Sequence, residues 1–202
     1  MGLIAYLRKK LSKRGELEWK REIEAQFAAS DTTDAILLVD SGLGTEKVRF
    51  HVNKAHLASH SDFFECLFNG AFKEKDMSEI VIADVNCFSF GQLLKIIDPI
   101  APIKLTAENA YTLLVLADRF LMPAVTRCVE RYLCSNTAHD LVDKIKWADW
   151  FGMNKLLLWC LNQFETGVEL EVMVKEIGNE ISSETRSRLE YHYLYLRLIQ
   201  YH

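Results

Sequence analysis

A change of period near residue 34 decides the architecture open to this chain. Before it the spacing is helical. Leu3, Leu7 and Leu11 stand four apart, as do Ile23 and Phe27, which puts each set on one helical face. Gly15 breaks this stretch, so two helices are expected over residues 3–29. Beyond the polar stop Ser30-Asp31-Thr32-Thr33-Asp34, Ala35-Ile36-Leu37-Leu38-Val39 is a continuous apolar run, the pattern of a strand buried on both faces. Ser41-Gly42-Leu43-Gly44-Thr45 has turn chemistry, and Val48-Arg49-Phe50-His51-Val52 alternates with a period of two. The two runs therefore predict a β-hairpin.

Helical spacing then returns, interrupted once. Residues 54–60 and 61–69 predict two short helices with Leu57, Phe63, Phe64, Leu67 and Phe68 facing inward. Ile80-Val81-Ile82-Ala83-Asp84-Val85 predicts a third strand. A helix follows from Phe88 to Ile97, stopped by Pro99 and Pro102, since proline cannot continue the hydrogen-bond ladder. Thr106 opens the next helix with a Thr-x-x-Asn form of the capping box, running through Leu113, Leu114, Leu116 and Ala117 to Phe120. Pro123 opens another through Val125, Val129 and Leu133. After Cys134-Ser135-Asn136-Thr137 the pattern is helical throughout. Leu141, Ile145, Trp147 and Ala148 share one element, Gly152 marks a turn, and Leu156–Phe164, Val168–Ile177 and Glu184–Tyr201 follow. There is no tandem repeat and no long Gly/Ser linker, so the pieces are expected to pack together.

Composition narrows the function classes. The 202 residues fit one or two domains. Half are hydrophobic, 26% are charged, and 3 prolines and 9 glycines are too few for a disordered or collagenous chain. With 24 basic against 28 acidic side chains the net charge is −4, which gives no overall attraction for a polyanion, so nucleic acid is not an expected partner. No apolar run approaches the roughly 18 residues of a membrane span. The five cysteines (Cys66, Cys87, Cys128, Cys134, Cys160) are odd in number, lack a C-x-x-C and sit in apolar segments, as small buried hydrophobes of a reducing compartment do. At the N-terminus the apolar residues precede the basic ones, the reverse of a secretory signal. Gly2 fits the start of a myristoylation motif, but Tyr6 stands where Ser or Thr is required. The basic cluster Arg8, Lys9, Lys10, Lys13 and Arg14 then reads as a solvated helix face. No membrane partner is expected, and the expected location is cytoplasmic, nuclear or both.

Catalytic patterns fail one by one. Gly42-Leu43-Gly44-Thr45-Glu46-Lys47 lacks the third glycine of a dinucleotide loop and leads into a strand instead of a helix. His56 and His60 stand four apart, as two ligands of one metal do, but no acid lies between them and no third ligand is spaced nearby. Surface or interface histidines are the expected reading. Ser59, His60, Ser61 and Asp62 carry the side chains of a hydrolase triad. Adjacent residues do not converge on one centre, however, and no Gly-x-Ser-x-Gly elbow exists. An enzyme is not expected, nor a metal or other cofactor.

The remaining pattern is specific. Asp34 before Ala35–Val39, then Phe50-His51-Val52-Asn53-Lys54-Ala55-His56-Leu57-Ala58-Ser59-His60-Ser61-Asp62-Phe63-Phe64, strongly resembles the signature of the BTB (POZ) family. That signature is Phe-x-x-His-Lys-x-x-Leu-Ala-x-x-Ser-x-x-Phe followed by Phe-x-x-x-Phe, and Asn53 replaces its usual histidine. Ile80–Val85 is similar to the family's third strand, Phe90 to its helix-opening aromatic, and Leu113-Leu114-Val115-Leu116-Ala117-Asp118-Arg119-Phe120 to its Leu-Leu-x-x-Ala-Asp-x-Phe helix. The resemblance implies an α+β fold, a small three-stranded sheet capped by paired helices, over residues 31–134. Residues 1–30 would form a helical segment whose 17–29 helix sits where relatives carry a dimerisation helix. Residues 135–202 resemble the all-helical 3-box or BACK-like region of cullin adaptors. The flanks are similar to those of the MATH–BTB adaptors and their BTB-only relatives, and neither a MATH domain before them nor a kelch or zinc-finger region after them is expected.

Such proteins homodimerise and bind the third cullin, presenting an unidentified protein substrate to a ubiquitin ligase. Their cullin contact is a hydrophobic residue, any residue, then Glu, matched here by Phe72-Lys73-Glu74. An exposed aromatic fills a pocket as an anchor and a carboxylate fixes orientation. The family's Tyr-Thr-Gly is replaced by Ile97-Asp98-Pro99, so Phe72, Glu74, Ile97 and Pro99 are the expected cullin-binding residues, on a changed surface. Ile23, Phe27 and His56 are the expected dimer contacts. Relatives carry an aliphatic at the position of His56, where a charged imidazole costs desolvation, so dimerisation is expected to weaken as pH falls through the imidazole range. The aromatic tail (Trp147, Trp150, Trp159, Tyr191, Tyr193, Tyr195, Tyr201) suits either a substrate surface or a small helical core. Two functions follow: a cullin-ligase adaptor, or an oligomerisation scaffold that has lost the cullin contact.

Overall fold

A computed structural model describes residues 21–41, 47–70, 77–99 and 102–200. The predicted helices before residue 21, the 42–46 turn and Tyr201 lie outside the described residues. The chain divides into two compact units, residues 1–104 with 115–125 and residues 105–114 with 126–202.

The first unit is built on a three-stranded sheet in the order β2-β1-β3. β1 (Ala35–Asp40) and β2 (Lys47–Val52) pair antiparallel, with Leu37 opposite Phe50, and β3 (Glu79–Ile82) joins β1 in parallel, with Leu37 opposite Ile80. Period-two alternation puts Ala35, Leu37, Val39, Val48, Phe50, Val52, Ile80 and Ile82 on one buried face. The other face departs from expectation, because Ile36 and Leu38 are only half-buried. Arg49 of β2 and Glu79 of β3 form an ion pair of 3.1 Å that reaches diagonally across β1 on this face. β3 ends three residues sooner than predicted. Asp84 has φ +52, off the extended path, and the Arg119 guanidinium donates to the carbonyls of Ala83 and Asp84 at 2.7 and 2.6 Å.

Two helices, α1 (Lys54–His60) and α2 (Asp62–Asn69), follow the hairpin. Leu57, Phe64 and Phe68 are buried as expected, while Phe63 and Leu67 are half-buried. Helix α3 (Cys87–Ile96) starts on an Asn86 cap. The core of this unit is aromatic. Phe50, Phe64, Phe90 and Phe120, from four separate segments, are fully buried, with centroids 5.5 Å apart for Phe64–Phe120 and Phe90–Phe120 and 5.4 Å for Phe50–Phe90. Each such ring stabilises by about 1.5–3 kcal/mol through removal from water.

Helices α4 (Ala107–Arg119) and α5 (Pro123–Ser135) contribute residues to both units. Before α4, the Asn109 side chain accepts from the Thr106 backbone N–H at 2.9 Å, the Asn half of the predicted capping box. The second unit continues as α6 (Leu141–Trp150), α7 (Asn154–Leu161), α8 (Gly167–Ile177) and α9 (Ser183–Gln200). Gly152 makes the α6–α7 turn at φ +63, where a residue with a Cβ is strained. Among the described residues no helix is long and apolar enough to cross a membrane.

Candidate interaction surfaces

The motif residues of the first unit are spent on folding. Ser61 closes α1 and opens α2; its hydroxyl accepts from Phe64 N–H at 3.1 Å and donates to the Phe120 carbonyl, 59 residues away. Asn53, where a histidine is usual, caps α1 by accepting from His56 N–H at 2.7 Å and donates its own amide to the Thr32 carbonyl at 2.6 Å. Asp34 receives the Lys54 N–H at 2.7 Å, which ties the start of β1 to the start of α1. Ser59 donates to the His56 carbonyl one helical turn back. Ser61 thus punctuates the two helices, Ser59 bonds within α1, and Asp62 stands in the first turn of α2.

His56 and His60 stand edge to face with ring centres 4.8 Å apart. Burial and then the neighbouring His56 lower the pKa of His60 below the usual imidazole value. Among the described residues no group of three or more His, Cys, Asp or Glu side chains could hold a metal.

Of the residues expected at interfaces, the structure brings some together and separates others. Ile23 is buried and Phe27 half-buried, with the Phe27 ring 4.8 Å from Phe50 and its carbonyl accepting His51 N–H at 3.0 Å. The ring packs beside Gly91 of α3, where a Cβ would stand in van der Waals contact with it at 3.4 Å. A cavity of about 410 Å³ lies beside them, lined by Ile23, Phe27, Phe88, Gln92 and Lys95 among others. His56 is not among its lining residues. Ile97 ends α3 half-buried and Pro99 is exposed. Between them Asp98 pairs with Lys95 at 2.8 Å, and the Lys95 carbonyl accepts Ile103 N–H, folding the segment back on α3. Phe72 and Glu74 lie outside the described residues.

The second unit holds groups that sequence reading missed. Lys144 is almost wholly buried; its ammonium lies 4.3 Å from the centre of the Trp159 ring and donates to the Asn136 carbonyl. Burial holds its pKa below the usual lysine value. Glu130 of α5, also buried, accepts the N–H groups of Lys155 at 2.8 Å and Leu156 at 3.2 Å. It supplies in trans the cap that Met153 cannot, and its charge suits a helix N-terminus. Thr166 and Glu169 form a reciprocal capping box at α8, a signal present in the sequence as Thr-x-x-Glu. In the aromatic tail Trp147 is buried, while Trp150, Tyr191 and Tyr195 are exposed. All five cysteines are free; Cys87 and Cys160 are buried, but Cys66 is exposed, contrary to expectation, because it falls on the outer side of α2.

Comparison with known proteins agrees with this arrangement. The BTB/POZ domain family model matches residues 23–137. Among curated relatives, BTB and MATH domain-containing protein 36 of Caenorhabditis elegans is 35% identical over 136 residues, 67% of this chain and 42% of that protein. BTB/POZ domain-containing protein Y57A10B.3 of the same organism is 27% identical over 176 residues, 87% of this chain and 54% of that protein. The chain thus spans about half the length of the curated relatives it matches. Among solved structures, the BTB domain of human gigaxonin is 16% identical with a TM-score of 0.41, covering 60% of this chain and 93% of that one. The BTB domain of zebrafish PATZ1 is 21% identical with a TM-score of 0.41, covering 62% and 97%. The family match takes in the sheet, its paired helices and more than half of the chain, and the protein belongs to the BTB/POZ domain family.

Proposed function

We propose that this member of a protein-interaction family is a homodimeric substrate-adaptor subunit of a cullin-RING E3 ubiquitin ligase. The family match over residues 23–137 carries the reading, since the resemblance set out above brings dimerisation and cullin recruitment with it. In this reading residues 31–134 are the BTB module, residues 1–30 hold the dimerisation helix, and residues 135–202 are the 3-box or BACK-like extension that follows the module in cullin adaptors. The third cullin is bound by Phe72 and Glu74 with Ile97 and Pro99 at the end of α3. A second copy is met at Ile23, Phe27 and His56. The chain works in the cytoplasm, the nucleus or both, brings an unidentified protein to the ligase, and performs no catalytic step.

Chemistry supports these assignments. An aromatic side chain two residues before a carboxylate offers an anchor and an orienting charge on one short segment. The exposed Pro99 beside the Lys95–Asp98 pair gives the neighbouring surface a fixed backbone. That same ion pair, standing where the family has Tyr-Thr-Gly, favours the second reading, a BTB scaffold without cullin contact. Co-precipitation with the third cullin separates the two. The adaptor reading expects the wild-type chain to retain the cullin and Phe72→Ala/Glu74→Ala to lose it. No retention by the wild type leaves the scaffold, and equal retention by both places the contact elsewhere.

A further inference from the structure

Helix α1 carries two imidazoles that the fold leaves unused. His56 and His60 stand four residues apart, so both side chains leave one face of the helix. The helix is fixed at each end: Asn53 accepts the His56 N–H at 2.7 Å, and the Ser61 N–H donates to the Ala58 carbonyl. Both histidines are half-buried, and their rings lie edge to face with centres 4.8 Å apart. Among the described residues neither ring is held by a hydrogen bond. Two imidazoles at this spacing can each turn a nitrogen toward one point, which is how a helix chelates a transition-metal ion. Nitrogen ligands of this kind suit zinc and exclude magnesium and calcium, which take oxygen.

One chain is two ligands short. Zinc takes four ligands at tetrahedral corners, with nitrogens about 2.0–2.1 Å from the ion. Among the described residues no group of three or more His, Cys, Asp or Glu side chains gathers here. We infer that the missing pair comes from a second copy, so that His56 and His60 of both chains enclose one zinc ion on the two-fold axis of the dimer. The inference rests on the proposed function, in which His56 meets a second copy. A two-fold axis through that contact brings a second His56 and a second His60, which completes the set with no other residue type. Zinc also gives the imidazole a role at a contact otherwise assigned to the apolar Ile23 and Phe27. In a plain dimer its nitrogens lose water without return, whereas zinc engages one nitrogen of each ring. Because the complete site exists only in the paired state, zinc strengthens pairing by mass action.

The test uses the whole chain, with zinc chloride as the only added ligand. Sedimentation equilibrium of the wild type is run in EDTA and in zinc, and retained zinc is counted after gel filtration. One zinc per two chains is expected, with a dimer at least about tenfold tighter in zinc than in EDTA. His56→Ile and His60→Gln are each expected to retain no zinc and to sediment alike under both conditions. Cobalt(II) in place of zinc gives a second readout that needs no variant to fold, the visible absorption of a four-coordinate site. A dimer equally strong in EDTA and zinc that retains no zinc overturns the inference and leaves the dimer reading standing. A monomer under both conditions overturns the two together. One zinc per chain, or zinc retained by both variants, places the ion elsewhere and overturns the shared site.

Discussion

Replacing Ser61 by Ala removes one hydroxyl and two connections. The first is the cap of α2, where Ser61 Oγ accepts Phe64 N–H; losing such a cap costs about 1 kcal/mol. The second is the donation to the Phe120 carbonyl, which joins the α1–α2 corner to the end of α4 in a site where Ser61 is buried and Phe120 sits in the aromatic core. Withdrawing that donor from a buried carbonyl costs about 1–3 kcal/mol. The sum, roughly 2–4 kcal/mol, is a large part of the 5–15 kcal/mol by which a domain is stable. Urea unfolding followed by circular dichroism should show a lower midpoint with an unchanged slope. Ser59→Ala is the control, because its exposed hydroxyl only bonds back to His56 within the same helix, and it should cost below about 0.5 kcal/mol. A Ser61→Ala loss no larger than that of Ser59→Ala would refute the claim that this serine links distant segments.

Glu130→Ala should cost about 2–3 kcal/mol, since two N–H groups at the start of α7, the Leu156 one buried and the Lys155 one part-buried, lose a charged acceptor, while Glu130→Gln should cost less. Faster hydrogen exchange at Lys155 and Leu156 checks it. His60 has a folded-state pKa below its usual 6.5, so the unfolded chain takes up its proton first and stability falls as pH drops below about 6.5. The fall in urea midpoint between pH 7.5 and 5.5 should be smaller in His60→Gln, and an identical fall in both proteins would contradict this. Burial pushes the Cys160 thiol up to about 12, so at pH 8 it stays protonated and unreactive. Iodoacetamide followed by mass spectrometry should label exposed Cys66 first and Cys160 only after unfolding; equal rates would contradict it.

How much of this was legible in the sequence depends on the range of the interactions. The hairpin, the third strand, the paired helices and the Pro123 helix start announce themselves through period and local chemistry, and the structure carries all of them. The signature residues were legible as a pattern but not as physics. Asp34 meets Lys54 across 20 residues, Arg119 meets Ala83 across 36, and Ser61 meets Phe120 across 59, distances no local rule spans. Glu130 and Lys144 look like surface charges on helices, and only tertiary packing shows the first to be a cap and the second a buried cation against Trp159. The outer face of β1 misled because the apolar Ile36 and Leu38 are only half-buried there, on the face that an ion pair from the flanking strands crosses. Thr166-x-x-Glu169 is a capping box readable from local spacing alone.

The adaptor reading stands or falls on binding to the third cullin. Titration calorimetry of purified third cullin into this chain should give one cullin per chain, with Phe72→Ala/Glu74→Ala weakened by at least about tenfold, roughly 1.4 kcal/mol. Absence of binding by the wild-type chain would contradict the account and leave a BTB module that joins proteins without bringing them to a cullin.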